Sequence, residues 1–284
     1  MRATARRVRV HDTRPALPGW FMVLTLLHTS ASAQELPPPQ EPSHFEAGTA
    51  LLYGSIEGSL QTPSGGKLIT SDNDRPTLDE LGFERATMTD FWMNVRRPDD
   101  GLYFGGRLIR LEGSSTLETD LLTRAETLAA GSPVEADVTL DWYRFGYGRR
   151  YLWRHAGRTI EFFPSIGVAM LNFEYYLSSA TVEPIERAYS KSGVQIGFGV
   201  TAPLTDRLTL VGQALLPIGL SNAPDILSLQ LTAKYEFLRY GDLKLSGLLG
   251  VGYDRIYYVD NQLLPNEIRA DVGPMVIAGL EALF

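Results

Sequence analysis

The chain contains no cysteine. That excludes a disulfide framework, a thiolate metal site, a cysteine nucleophile and a lipid-modified cysteine. Histidine is scarce, with four in 284 residues: His11, His28, His44 and His155. Long apolar runs are also missing. A membrane-spanning helix needs about 20 apolar residues, the run at 20–27 falls well short, and mean hydropathy is −0.07. There is no basic surplus either. Lys and Arg number 26 against 33 Asp and Glu, a net charge of −7. Nucleic acid is therefore not an expected partner, because its phosphates call for clustered Lys and Arg. The 44% of apolar residues is enough to bury a core, which excludes disorder throughout.

What is present begins with an export signal over residues 1–33. Arg2, Arg6, Arg7, Arg9 and Arg14 form a basic region, and residues 20–27 are a short apolar stretch. Ala31-Ser32-Ala33 supplies the small-x-small pattern of a signal peptidase site. The Arg6-Arg7 pair suggests a twin-arginine signal, but its surroundings fit poorly. Removing five Arg and one Asp with the signal would take the net charge from −7 to −11. Residues 34–46 follow as a Pro-rich leader, expected to be extended and solvated. The body, 47–284, is read as one domain, since a single barrel absorbs about 250 residues.

Across the body the apolar residues recur every second position, the strand period. Leu227, Leu229, Leu231, Ala233, Tyr235 and Phe237 alternate with Ser228, Gln230, Thr232, Lys234 and Glu236. Ile268, Ala270, Val272, Pro274, Val276, Ala278, Leu280, Ala282 and Phe284 share one parity, with Arg269, Asp271 and Glu281 on the other. Leu52, Ile56 and Leu60 oppose Ser55, Glu57, Ser59 and Gln61. About ten strands are expected, near 47–61, 84–97, 102–118, 137–153, 159–178, 191–203, 207–222, 226–238, 243–261 and 268–284. The alternation slips at 107–111 and at 142–143, where a bulge is expected. Connections alternate between long and short. The longer ones fall near 62–83, 119–136, 179–190, 223–225 and 262–267. That asymmetry, with aromatics at strand ends, suits an up-and-down membrane barrel. Tyr103, Phe104, Trp153, Phe162, Phe237, Tyr240 and Phe284 are expected at one rim. Tyr175, Tyr176, Tyr257 and Tyr258 are expected at the other.

The last strand ends on Phe284, with Ala282, Leu280, Ala278 and Val276 at alternate positions before it. This resembles the closing strand of Gram-negative outer-membrane β-barrel proteins. The resemblance implies an all-β, antiparallel up-and-down transmembrane barrel of about ten strands, with eight or twelve as alternatives. It also implies periplasmic termini, and Phe284 as the signal read by the barrel-assembly machinery. Outer-membrane lipids and lipopolysaccharide are the implied surroundings.

In lipid the usual pattern inverts, apolar outward and polar inward, so the period predicts a charged lumen. Its candidate network is Glu57, Lys234, Glu236, Lys244, Asp254, Arg269, Asp271 and Glu281, with Asp90, Arg96 and Glu161 also expected inward. Such side chains would fill a narrow barrel, or line a path for a small solute. Barrel hydrolases place a histidine near the outer rim. Here His11 and His28 leave with the signal, His44 lies in the leader, and His155 falls in an expected periplasmic turn. The similarity to the omptin proteases is in strand count alone. No catalytic residue, cofactor or metal site is assigned. Asp72, Asp74, Asp79 and Glu80 lack the spacing of a calcium loop. In the first long loop Thr77 and Glu80 form a capping-box pattern ending at Gly82, predicting one helical turn with Leu78 and Leu81 lying against the barrel or tucked into its mouth. In the second, Leu121, Leu122, Ala125 and Leu128 predict a short amphipathic helix. The expected role is structural or interactive; a narrow channel or carrier is the alternative, and a barrel hydrolase the third reading.

Overall fold

The computed structural model describes residues 43–62, 74–124, 126–155, 157–180, 182–262 and 264–284. The expected export signal and nearly all of the expected leader lie outside these. Thirteen strands follow one another: β1 (His44–Gln61), β2 (Arg85–Arg96), β3 (Asp100–Thr116), β4 (Leu121–Thr123), β5 (Glu126–Leu128), β6 (Pro133–Arg149), β7 (Tyr151–His155), β8 (Arg158–Ser179), β9 (Val182–Pro203), β10 (Leu208–Ile218), β11 (Asp225–Tyr240), β12 (Leu243–Val259) and β13 (Glu267–Leu283). β4 and β5 form a separate small hairpin. The others pair antiparallel with their neighbours in the chain, and β1 with β13 closes the ring. β6 and β7 succeed each other along β8, so the wall is a closed barrel of ten strand positions. Closure leaves no open edge within a bilayer, the condition for strands to live in lipid. The start of β1, the end of β13 and the short connections β2–β3, β7–β8, β9–β10 and β11–β12 mark the lower end.

The barrel is too tall for a membrane. β8 and β9 have 22 residues each, whereas about 9–11 span a bilayer. The extra length forms an upper storey in which inside and outside trade character. In the lower storey the outward side chains are apolar: Leu51, Phe104, Phe145, Ile166, Val168, Phe198, Leu229, Leu249, Val251, Val276 and Leu280 are all exposed. Above them the outward positions become polar, with Glu57, Glu112, Glu135, Asp137 and Glu174 exposed. There the inward ones are apolar, and Leu52, Leu60, Ile109, Leu140, Leu171, Phe173, Ile256 and Ile268 pack into one buried core. Leu51 is 62% exposed while its neighbour Leu52 is 1% exposed: one side chain meets lipid, the other this core.

The expectation that apolar faces point outward along the whole barrel is therefore corrected. It holds below and reverses above, because the upper wall stands in water. The same inversion explains the slips in alternation. Arg107 pairs with Trp142 and Arg110 with Thr139 in one unbroken register, so there is no bulge. The apolar parity changes because the surroundings do. A true bulge sits in β13, which carries one extra residue between Val272 and Met275 against both β1 and β12. Gly273 occupies it at φ +136°, a conformation glycine adopts at little cost. The bulge swaps the parity of β13, so its unbroken apolar stripe lines the core above (Ile268, Ala270, Val272) and faces outward below (Val276, Ala278, Leu280).

The loops divide similarly. Thr77 N–H donates to Glu80 Oε2 at 2.7 Å and Glu80 N–H to Thr77 Oγ1 at 3.1 Å, a reciprocal capping box. Gly82 ends the turn at φ +85°, and Leu78 and Leu81 are fully buried. The helix expected around 121–131 is instead the β4–β5 hairpin, in which Leu121 faces Leu128 across the ladder. Both leucines join the core. The loop expected at 179–190 is largely strand: β8 runs to Ser179 and β9 begins at Val182. β1 begins at His44 rather than 47.

Candidate functional site: the lumen of the lower storey

Beneath the apolar core the inward positions turn polar and charged. Arg107 (β3) and Asp254 (β12), both fully buried, form an ion pair across the lumen. Arg107 also donates from Nη2 to Asp90 Oδ2 (β2) at 2.7 Å. Arg144 Nη2 (β6) lies 3.5 Å from Asp90 Oδ1, and both guanidinium groups flank the Trp142 ring, at 5.4 and 5.3 Å. These residues form a charged layer that underlies the core. Charges this deep require partners, since an unpaired one carries a large desolvation cost.

A second cluster lies nearer the termini. Lys234 (β11) pairs with Glu281 (β13) and with Glu46 (β1), the latter at 3.2 Å. Glu46 Oε2 accepts from Arg96 Nη2 at 3.0 Å and from Asn94 Nδ2 at 2.9 Å. Arg96 continues to Glu161 (β8), which also accepts from Arg150 Nε at 2.6 Å. Between the two clusters is a cavity of about 160 Å³, lined among others by Asp90, Trp92, Tyr103, Arg144, Gln213 and Gln230. The acids and bases around it are nearly balanced, so the lumen attracts neither cations nor anions strongly.

The structure separates the eight candidate residues. Lys234, Glu281 and Asp254 are in the lumen and ion-paired. Glu236 sits at the lower rim, bound by Arg239 at 2.7 Å. Lys244 lies on the inward parity at the same end, half-buried, and makes none of the ion pairs among the described residues. Glu57, Arg269 and Asp271 are corrections: all three project outward. They belong to the upper storey, where the polar face is the outer one. Arg269 and Asp271 pair at 3.3 Å on that outer wall. Glu46 escapes sequence reasoning because it lies one residue before the expected first strand. Arg107 and Arg144 escape because they lie at the alternation slip, which was itself the available signal. Phe284 is exposed at the lower rim, its ring 6.0 Å from that of Phe45, and its backbone pairs with Phe45 in both directions.

The aromatic rims are partly as expected. Phe104, Trp153, Phe162, Phe237, Tyr240 and Phe284 are exposed at the lower end, whereas Tyr103 points into the lumen. Tyr175 and Tyr258 are buried in the core. The upper limit of the apolar band is marked instead by outward Tyr53, Tyr143 and Tyr253. Tyr53 accepts from Arg85 at 2.7 Å and Tyr253 donates to Asp271 at 2.6 Å. Such amphipathic rings suit the layer between hydrocarbon and water.

A closed ladder, an outward apolar band and aromatic rims define a transmembrane β-barrel. No protein-family model matches the chain, and no curated protein matches it in sequence. Solved structures do match along most of its length. The outer membrane protease OmpT of Escherichia coli is 9% identical, with 89% of this chain and 100% of that one covered and a TM-score of 0.42. Ail, the attachment invasion locus protein of Yersinia pestis, is 9% identical over 84% and 98%, with a TM-score of 0.31. Neisserial surface protein A is 10% identical over 86% and 98%, with a TM-score of 0.29. At such identities and TM-scores nothing about activity or binding passes from them to this chain.

Proposed function

We propose that the chain is a Gram-negative outer-membrane barrel, exported by its N-terminal signal, that does not conduct and has a structural or interaction role on the cell surface. The lower end is then periplasmic and the upper storey stands outside the membrane among lipopolysaccharide. The observation that carries this reading is the apolar core filling the upper storey, sealed by Leu78 and Leu81 from one loop and Leu121 and Leu128 from another. Hydrated ions do not cross such a plug, since nothing in it replaces their water. Catalysis is no part of the reading: His44 and His155 both belong to the periplasmic ends of their strands.

Single-channel recording of the folded protein in a planar bilayer tests this, with a heat-modifiable gel shift confirming closure. Silence is expected. A steady conductance would overturn it in favour of a channel. The lumenal cavity supports a second reading, in which a small polar solute enters from the periplasmic end and goes no further. Isothermal titration with uncharged and zwitterionic solutes separates that from a merely water-filled lumen.

A further inference from the structure

The wall of the upper storey is incomplete along one strand. β9 pairs with β8 from Val182 to Thr201 but with β10 only from Val194 to Pro203. β10 ends at Ile218 and the chain returns as β11 from Asp225. Residues 182–193 of β9 therefore have a strand on one side only. Their other side offers main-chain donors and acceptors, a ready template for an added strand.

The inner face of this edge is short of partners too. In the β8–β9 register Tyr175 faces Arg187, Phe173 faces Tyr189 and Leu171 faces Lys191, so β9 presents Arg187, Tyr189 and Lys191 inward in succession. Arg187 lies 5.6 Å from the Tyr189 ring centre, and Lys191 5.6 Å from that of Tyr258 on β12. Arg124, at the tip of the β4–β5 hairpin, adds a third cation. Burial and the charge of Arg187 push its guanidinium down from the ordinary value. Arg187 Nε, Arg124 Nη1 and the hydroxyls of Tyr175, Tyr189 and Tyr258 are buried without a hydrogen-bond partner. Tyr175 and Tyr258 are 3% and 1% exposed. Among the described residues no carboxylate pairs with any of the three cations. Asp260, whose charge acts on Tyr189, accepts from Gln262 and Asn266. In an acidic protein, this concentration of unneutralised cations and unsatisfied hydroxyls suits an incoming acid.

We propose that the free edge of β9 takes up an extended acidic polypeptide segment as an added strand, its main chain pairing with the edge and its carboxylates turned inward toward Arg187 and Lys191. Strand addition of this kind draws affinity from the backbone and specificity from alternate side chains. Acidic residues are wanted at every second position only, because the outer face carries Glu186. Pro184 has no N–H to donate and limits the pairing toward the tip. The inference deepens the interaction reading and rests on the upper storey being exposed at the cell surface.

The test is fluorescence anisotropy on the folded full barrel, using labelled octapeptides. One alternates Glu and Thr, a second alternates Lys and Thr, and a third is the first with alternate backbone nitrogens methylated. Saturable binding of the Glu-Thr peptide is expected, with the Lys-Thr and methylated peptides weaker by about tenfold or more. Arg187→Glu with Lys191→Glu should reverse the preference between the acidic and basic peptides. If that variant does not close into a barrel, the three peptides on the unaltered protein decide alone. Equal binding of the methylated peptide, competition by an acidic oligosaccharide as strong as by the peptide, or no saturable binding would each overturn the proposal. Conductance is a separate readout, so a silent barrel that ignores the peptide defeats this inference and leaves the closed-barrel reading standing.

Discussion

Arg107 of β3 and Asp254 of β12 are hydrogen-bonded to each other in the middle of the lumen, although 147 residues separate them in the chain. Their strands stand four places apart around the barrel. The bond is a strut between nearly opposite walls, set where the apolar core gives way to the polar lumen. Neither residue reaches solvent.

Removing one end of that strut should be costly. Asp254→Ala leaves Arg107 with Asp90 as its remaining carboxylate, and a broken buried pair costs about 3–5 kcal/mol. Urea unfolding in lipid vesicles, followed by tryptophan fluorescence, should show a lower midpoint. The double change Arg107→Met with Asp254→Leu should lose less than the two single changes added together. An unfolding free energy within about 1 kcal/mol of the unaltered protein for Asp254→Ala would mean that the strut contributes little.

The two storeys predict opposite responses along a single strand. Val276→Arg places a charge on the lipid face of β13 and should impair insertion, at about 2–4 kcal/mol near mid-membrane. Arg269→Leu, on the same strand above the bulge, removes one half of a surface pair worth about 0–1 kcal/mol. It should leave folding unchanged. Folding yield into vesicles, read by heat modifiability, compares them. Equal yields would place the membrane elsewhere on the barrel.

The plug turn gives a graded pair. Thr77→Ala removes a capping bond and should cost about 1 kcal/mol. Gly82→Ala should cost more, because the residue sits at positive φ and the new Cβ would lie 2.7 Å from the Ser114 carbonyl oxygen. Hydrogen exchange over 76–84 should rise in both variants, and further in the second. The reverse order would mean that the turn is held by Leu78 and Leu81 rather than by its caps.

How much of this was legible beforehand depended on whether a local rule decided it. Ten strands followed from the period of two, and the capping box from the chemistry of Thr77 and Glu80. Facing did not follow, because alternation separates two faces without saying which medium meets either. Glu57, Arg269 and Asp271 face inward only if lipid surrounds the whole wall. The slips at 107–111 and 142–143 already mark the change of medium along the wall. The β4–β5 hairpin was missed for a different reason. Leu121 and Leu128 share a helical stripe, but a tight hairpin brings the same two leucines together.

The bulge at Gly273 has a consequence for how the gene can vary. Loops normally absorb insertions and deletions, and strands of an even period tolerate them in twos. Loss of a single codon at 273 would turn the last ten residues of β13 inside out. Glu281 would then face the hydrocarbon and Leu280 the lumen, while every base upstream stayed as it was. Length changes at this point should therefore be among the least tolerated in the gene, although the residue is a glycine with no side chain to lose.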